Sequence, residues 1–162
     1  MQRYYTQLDT ELGTLTLCAS DNGLTHLWIE GQEIQAKDKG TRIETHPILV
    51  QACQEITDYL AGTITTFSTP LDLSGTPFQQ SVWQQLLTIP YGKTCCYQDI
   101  AKALGKPKAC QAVGMANRHN PVAIIVPCHR VIGKNGSMTG YDGGVSIKER
   151  LLDLEHTKSV TI

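Results

Sequence analysis

A chain of 162 residues with 41% apolar and 18% charged side chains can bury a core, which excludes disorder as its main state. Its longest apolar run, Val122-Ala123-Ile124-Ile125-Val126, falls far short of the ~20 residues that cross a bilayer, which excludes a transmembrane helix. The net charge of −1 conceals a division: residues 1–75 hold 4 Lys+Arg against 10 Asp+Glu (−6), and residues 76–162 hold 10 against 5 (+5), so only the second half has the sign to face a polyanion.

The first residues, Met1 to Gln7, lack the apolar stretch of a signal peptide, and a cytoplasmic protein is expected. Period-two alternation over Thr14–Ala19 predicts a strand, Asp21-Asn22-Gly23 a turn, and Leu24 to Glu30 the returning arm of a hairpin. Residues 31–45 are polar and read as loop or irregular structure. Pro47 opens a helix with Ile48, Ala52, Ile56 and Leu60 on one apolar stripe, closed by Gly62. A Thr- and Ser-rich connection over 63–76 then separates an N-terminal strand and helix domain, residues 1–70, from a second domain, residues 76–158.

The second domain begins with a helix-start signature: Thr76 as N-cap, Pro77 at the first helical position and Gln79 completing a capping box. Phe78, Val82 and Leu86 form its expected buried stripe, and Ile89-Pro90-Tyr91-Gly92-Lys93 breaks the chain. A short helix from Tyr97 to Leu104, stopped by Gly105, and another from about Lys108 to Asn117 read as a helix-turn-helix. The second helix carries Ala109, Ala112, Gly114 and Ala116, small residues that permit close approach of another helix or of a nucleic-acid groove. After Asn120-Pro121 and the apolar run come Pro127-Cys128-His129-Arg130, a hairpin-like stretch turning at Asn135-Gly136, and the glycine-rich loop Tyr141-Asp142-Gly143-Gly144. A last helix starts near Val145 and is expected to pack Ile147, Leu151 and Leu154 inward.

The six cysteines stand at 18, 53, 95, 96, 110 and 128. In a cytosolic chain they are reduced, and no C-x-x-C pair gives zinc-finger or thioredoxin-like spacing. Cys18 and Cys53 read as small buried hydrophobes, Cys95 and Cys96 adjoin a turn, and Cys110 lies in the small-residue helix. Cys128 differs, because it follows a rigid proline and precedes a base and a cation, a setting that favours a thiolate nucleophile. On an extended strand Cys128 and His129 would point to opposite faces, so they cooperate only if the backbone turns or a water bridges them. Glu155, four residues after Leu151 on the same helical face, is a candidate to orient the imidazole, since a carboxylate there needs a partner. The plainer alternative makes Glu155 an exposed glutamate and His129 a surface residue.

The stretch Asn120-Pro121-x4-Val126-Pro127-Cys128-His129-Arg130-Val131-Ile132-Gly133 closely resembles the O6-alkylguanine-DNA alkyltransferase family, suicide DNA-repair proteins. The resemblance continues through Tyr97-Gln98 and Ala112-Val113-Gly114 upstream, and through Tyr141, Gly143-Gly144, Lys148 and Leu151-Leu152-x-x-Glu155 downstream. It is strong over about residues 76–158, and residues 1–70 resemble the family's less distinctive N-terminal domain. It implies an α+β fold: a small N-terminal α/β, ribonuclease H-like domain and a helical C-terminal domain with a winged-helix-like helix-turn-helix. It implies stoichiometric transfer of the alkyl group from O6-alkylguanine in DNA, with O4-alkylthymine as a further candidate lesion, onto Cys128.

The residue roles below are likewise implied by the resemblance. The damaged base leaves the stack and enters a pocket. Cys128 attacks the alkyl carbon in line, His129 takes the thiol proton through a water, and Glu155 orients and polarises His129. Tyr97 hydrogen-bonds the purine and supports proton delivery to the leaving guanine. The Asn120 amide ties the recognition helix to the active-site turn. Main-chain carbonyls of Cys128 and Val131 accept the exocyclic amine, Tyr141 lines the pocket with Asp142 and Gly143 beside it, and Gln111, Ala112 and Lys148 belong to the DNA- and substrate-binding set. The expected partner is double-stranded DNA containing alkylated guanine, with no membrane, and the protein is expected to be a monomer. No cofactor is implied; some relatives carry an N-terminal zinc site, but no Cys/His set for one is visible and no metal is predicted. Two positions depart from the pattern. Gln111 stands where the recognition helix usually carries an Arg, inserted into the duplex in place of the flipped base, and lacks its charge and planar fork. Asp142 stands where a small residue is frequent.

Three rival functions compete. A non-enzymatic sensor of alkylated DNA would carry Trp at the position of Cys128. A helix-turn-helix regulator would need a dimerisation element, and a Cys-His hydrolase an oxyanion hole; the sequence shows neither.

Overall fold

The computed structural model describes residues 2–133 and 145–160. They fall into two compact units, residues 1–74 and 75–162. The first unit is built on a four-stranded sheet in the order β3-β2-β1-β4. Strand β1 (Tyr4–Thr10) pairs antiparallel with β2 (Gly13–Ala19), from Tyr4 opposite Ala19 to Thr10 opposite Gly13. Strand β3 (Leu24–Trp28) pairs antiparallel on the far side of β2, so the expected hairpin is present, with a register shift between Cys18 and Ala19. β1 was not expected from its sequence. It buries only Thr6, so it shows no apolar alternation, and pairing on both edges is what holds it extended.

Residues 31–45, expected to be irregular, contain a four-residue helix α1 (Ala36–Lys39) and a two-residue strand β4 (Thr41–Arg42) parallel to β1. Gly40 between them has φ +79, and a Cβ there would collide with the Arg3 carbonyl, so glycine is required at that crossing. Helix α2 (Pro47–Leu60) starts at the expected proline, but its buried stripe is Leu49, Ala52, Ile56 and Tyr59. Ile48 and Leu60 are only half-buried: they lie at the two edges of that face, just outside Leu49 and Tyr59, the Tyr59 ring centroid lying 5.1 Å from that of Phe67. Cys18 is fully buried, whereas Cys53 is half-buried, contrary to expectation, because it lies on the flank of the inward face of α2.

The second unit opens with α3 (Pro77–Leu86) and the expected capping box: the Thr76 hydroxyl accepts from the Gln79 amide at 3.1 Å, and the Gln79 side chain accepts from the Thr76 amide at 3.0 Å. Val82, Trp83 and Leu86 are its buried residues, and Phe78 is half-buried. The Trp83 indole donates to the Ala116 carbonyl at 2.9 Å, which ties α3 to helix α5 (Cys110–Arg118). β5 (Cys95–Cys96) leads directly into α4 (Tyr97–Ala103), whose capping box uses Cys96 and Asp99 in place of the usual hydroxyl and glutamate. Gly105 at φ +71 ends that helix, and α4 and α5 form the helix-turn-helix. α5 buries Val113, Ala116 and Asn117 and leaves Gln111, Ala112, Met115 and Arg118 exposed.

The apolar run 122–126 is buried throughout but forms turns, with Ile124 at φ +76, an uncommon conformation for a β-branched residue. A single 3₁₀ turn, Cys128–Arg130, follows, and then β6 (Val131–Ile132), parallel to β5 with Cys95 opposite Val131. Helix α6 (Val145–Val160) buries Lys148, Leu151 and Glu155. Ile147 and Leu154, expected inside with Leu151, are half-buried, because two charged side chains hold the inward positions through partners described below. The expected Asn135-Gly136 turn and the loop containing Tyr141, Asp142, Gly143 and Gly144 lie outside the described residues.

Candidate active site

The backbone turns at Cys128, the condition under which neighbouring cysteine and histidine side chains can cooperate. The Cys128 amide donates to the Val126 carbonyl at 2.8 Å, and the Arg130 amide donates to the Pro127 carbonyl at 3.0 Å. Val131 closes the turn by donating its amide to the Cys128 carbonyl. Cys128, His129 and Arg130 are all buried, at 5%, 0% and 7% exposure.

Glu155, on α6, is 1% exposed and is the hub of the cluster. Its Oε2 lies 2.6 Å from His129 Nε2 and accepts from Arg130 Nη2 at 3.0 Å. Its Oε1 accepts from Arg130 Nε at 2.8 Å and from the Gly92 amide at 3.2 Å. Arg130 Nη1 donates to the Ile89 carbonyl at 2.7 Å, and the guanidinium lies 5.7 Å from the Tyr91 ring. One guanidinium thus engages the carboxylate with two donors and stitches the 89–92 segment to α6.

Burial pushes the His129 imidazole below its ordinary range. The hydrogen bond and charge of Glu155 act in the opposite sense, and the charges of Arg130 and Lys148 add to the lowering. A neutral ring beside a carboxylate presents Nε2 as the donor, which makes Nδ1 the nitrogen able to take a proton. Tyr91 is pushed up by burial and then by Glu155.

The remaining sequence candidates fall into distinct places. Asn120 spans the apolar run: its Nδ2 donates to the Val126 carbonyl at 2.8 Å, and its Oδ1 accepts from the Val122 amide at 3.0 Å. Lys148, expected in the DNA- and substrate-binding set, is fully buried, with Nζ donating to the Val131 carbonyl at 2.6 Å. Tyr97, half-buried, begins α4 just past the register that joins Cys95 to Val131. Gln111 and Ala112 are on the exposed face of α5, away from the buried cluster. Tyr141, Asp142 and Gly143 lie outside the described residues. Of the ten basic residues of the second half, Arg130 and Lys148 are internal, while Lys102, Lys106, Lys108 and Arg118 of the helix-turn-helix are exposed.

Three contributors were not read from the sequence. Arg130 was visible only as part of the Pro-Cys-His-Arg string, and the Gly92 amide carries no side-chain signal. Asn117 is 1% exposed and donates to the Cys128 carbonyl at 3.4 Å. Its signal was its spacing with Val113 and Ala116 on the inward face of α5. The other cysteines lack this setting: burial, with Asp99 and Cys96, pushes the Cys95 thiol up to about 11, and Cys110 Sγ donates to Gln98 Oε1 at 2.9 Å. Among the described residues no group of three or more His, Cys, Asp or Glu can hold a metal ion, and no helix is long and apolar enough to cross a membrane.

Comparison with known proteins adds independent findings. Residues 77–157 match the DNA-binding domain of 6-O-methylguanine DNA methyltransferase, and residues 3–73 match its ribonuclease-like domain. The constitutive methylated-DNA–protein-cysteine methyltransferase of Bacillus subtilis is 46% identical over 156 residues, covering 94% of each chain. The crystal structure of the Mycobacterium tuberculosis O6-methylguanine methyltransferase superimposes with a TM-score of 0.90 at 43% identity, covering 99% of this chain and 97% of that one. A second structure from that organism, described as OGT in complex with DNA, gives a TM-score of 0.86 at 46% identity over 96% of this chain and 94% of that one.

Proposed function

The chain belongs to the 6-O-methylguanine DNA methyltransferase family, and on that premise we propose that it repairs DNA by taking the alkyl group of O6-alkylguanine onto its own Cys128. The observation that carries the assignment to Cys128 is the buried turn that sets this thiol beside His129, with His129 held by Glu155.

In the reaction, the damaged base is extruded from the duplex and presented to the turn. The Cys128 S–H proton passes to His129 Nδ1 through a bridging water, leaving the thiolate, which is the nucleophile. Sulfur attacks the alkyl carbon, the C–S bond forms as the C–O6 bond breaks, and the electron pair leaves with the guanine oxygen. The guanine takes up a proton at N1, a delivery that the family resemblance gives to Tyr97, and His129 returns its proton. The sum is a thiol plus an alkoxypurine giving a thioether plus guanine, with no oxidant, reductant or cofactor. A thioether has no ready route back to thiolate, so each molecule acts once. Glu155 supports the step by fixing the imidazole tautomer and stabilising the imidazolium while it exists.

Asn120 and Asn117 keep the turn in register with α5, the helix whose exposed face meets DNA through Gln111, Ala112 and Arg118. By the family resemblance, the main-chain carbonyls of Cys128 and Val131 accept the guanine amine alongside the donors they already hold, the Val131 amide and Asn117 at Cys128 and Lys148 at Val131, and Tyr141, Asp142 and Gly143 belong to the site on the same ground. O4-alkylthymine is proposed as a further lesion beside O6-alkylguanine, and the protein as a monomer of the cytoplasm. The test is intact-mass analysis after incubation with O6-methylguanine-containing duplex. One added methyl group, mapped to Cys128 and absent in Cys128→Ser, is expected. Methyl transfer retained in Cys128→Ser, or none in the unaltered protein, would overturn the proposal.

A further inference from the structure

Residues 1–75 carry the acidic excess of the chain, yet their charge is not evenly spread. All four of their Lys and Arg residues, Arg3, Lys37, Lys39 and Arg42, stand at one corner of the sheet, where the start of β1 meets α1 and β4. Lys37 and Lys39 are on α1 and Arg42 is on β4, while Arg3 precedes β1 with its carbonyl accepting from the Thr41 amide at 3.1 Å.

Strand alternation separates the two faces of the sheet. Thr6 and Leu8 of β1 line a cleft with Leu49 and Cys53 of α2, so Tyr5 and Gln7 point the other way. The register places Tyr5, Cys18 and His26 in one row across β1, β2 and β3, and Gln7, Thr16 and Trp28 in the next. Tyr5 is paired with Arg42 on its other side. The face away from α2 therefore gathers three aromatic residues and the cations. His26 and Trp28, both half-buried, stack with ring centroids 4.6 Å apart and 6° between their planes. Lys39 Nζ lies 4.7 Å from the Tyr5 ring centroid and the Arg42 guanidinium carbon 5.9 Å from it. α1 covers the Cys18 row, where Cys18 Sγ donates to the Asp38 and Lys39 carbonyls at 2.9 and 3.3 Å. The row of Trp28 is bridged by polar side chains: Gln7 Nε2 donates to Thr16 Oγ1 at 3.3 Å, and Gln7 Oε1 accepts from Arg42 Nη1 at 3.4 Å. The acids beside these groups are Asp38 on α1 and Glu44 just past β4, which accepts from Arg42 Nε at 3.0 Å and Nη2 at 2.8 Å. Asp9, farther along β1, accepts from the Thr14 hydroxyl at 2.9 Å.

Aromatic rings on a sheet face beside cations are a general means of holding nucleic acid: the rings take bases of any sequence and the cations take the backbone. Bases within a duplex offer no face to an indole, so the arrangement selects unpaired nucleotides. Three strand spacings of about 4.8 Å separate β3 from β4 by about 14 Å, room for about four nucleotides stacked ~3.4 Å apart. We propose that the face of the β1–β4 sheet opposite α2 is a second nucleic-acid surface, a stacking platform for unpaired nucleotides of DNA, with Trp28 under a base and Lys37, Lys39 and Arg42 along the phosphates. It shares no residue with α5 or with the Cys128 turn.

The two tryptophans of the chain report the two surfaces separately: Trp28 stands on the sheet, and Trp83, 1% exposed, is bonded to α5. Full-length protein labelled with fluorotryptophan gives one fluorine NMR resonance for each, assigned with Trp28→Phe. Oligothymidine is expected to shift the Trp28 resonance saturably, and blunt duplex at the same nucleotide concentration to leave it in place. In the double variant Lys39→Gln with Arg42→Gln, loss of two phosphate contacts should flatten the log–log salt slope of that titration by about 1.4 and weaken it about 25-fold near 0.1 M salt. A Trp28 resonance that oligothymidine leaves unmoved overturns the proposal, whether or not Trp83 responds. An equal shift with duplex also overturns it, since the face then binds phosphates without stacking on bases, and so does an unchanged slope in the double variant. The first comparison uses the chain without substitution, so it decides even where the double variant fails to fold. Methyl transfer to Cys128 is a separate readout, and its failure would leave this surface standing.

Discussion

Replacing Arg130 by methionine should lower the stability of the second unit and flatten its response to pH. The guanidinium gives Glu155 two donors, at 2.8 and 3.0 Å, and both residues are buried. Removing one partner of a buried pair costs about 3–5 kcal/mol, because the other charge is left without compensation. For a unit of this size each kcal/mol moves the midpoint by about 4–8 °C, so the loss corresponds to roughly 12–40 °C. His129 can reduce it. In the unaltered protein burial holds this imidazole below its ordinary value, helped by Arg130 and opposed by Glu155. The unfolded chain then binds more protons below about pH 6.5, so this group makes stability fall as pH falls through that region. In Arg130→Met the lowering influence of Arg130 is gone and Glu155, 2.6 Å away, still favours the imidazolium. The folded-state value rises, and protonation of His129 supplies the missing counter-charge. The cost of the substitution is therefore smallest near pH 6 and largest near pH 8. Urea unfolding at pH 6, 7 and 8, followed by the fluorescence of buried Trp83 in a Trp28→Phe background, measures it. Two stability-against-pH curves that stay parallel would refute the coupling, as would a loss below about 1 kcal/mol. Replacing both partners, Arg130→Met with Glu155→Leu, should recover much of the stability but not the alkyl transfer.

Gln111→Arg on the exposed face of α5 is expected to speed repair of duplex O6-methylguanine roughly tenfold, about 1.4 kcal/mol of help with extrusion, and barely to alter reaction with a free O6-alkylguanine base; single-turnover rates on both substrates at one ionic strength decide. Equal changes on both would move Gln111 into the chemistry. DNA affinity should fall with salt with a log–log slope no steeper than about −3.6 if the four exposed cations Lys102, Lys106, Lys108 and Arg118 carry the phosphate contacts, and Lys102→Ala should flatten it by about 0.9. Thr76→Ala removes one half of the α3 capping box and should lower the urea midpoint by the equivalent of about 1 kcal/mol without touching alkyl transfer.

What could be read in the sequence was mostly what neighbours along the chain decide. The Thr76 to Gln79 box, the Gly105 stop and the hairpin of β2 and β3 are local, and each is where its residues placed it. β1 and β4 could not be read in the same way: β1, though joined to β2 by a tight turn, lacks apolar alternation, and two-residue β4 is extended only through its pairing with β1 far back along the chain. α6 is the instructive failure. Hydropathy assigns Ile147 and Leu154 to the core, but Lys148 and Glu155 take those places because the Val131 carbonyl and the His129 and Arg130 side chains receive them. Within the site, Cys128, His129 and Glu155 could be named from residue type and spacing. Arg130, Asn117 and the Gly92 amide could not, since their part depends on partners up to 63 positions away.

The stretch that bears the nucleophile has little regular secondary structure to pair its own carbonyls, yet it is buried. Buried carbonyls need donors, and here side chains supply them: Asn120 to Val126, Asn117 to Cys128, and Lys148 to Val131. Two of these donors come from α5 or the residue shortly after its end, and one from α6. Each contributes about 0.5–1.5 kcal/mol net, but removing one leaves a buried acceptor unmet at a cost of about 1–3 kcal/mol. The position of the Cys128 sulfur is therefore set by two helices rather than by the turn alone. α5 presents Gln111, Ala112, Met115 and Arg118 to solvent on its other side. On the proposed function, a helix that offers one face to DNA and holds the reactive turn from the other would give the extruded base and the thiol a common frame. That common frame lets a buried thiol sit within reach of a base without being open to solvent in the meantime.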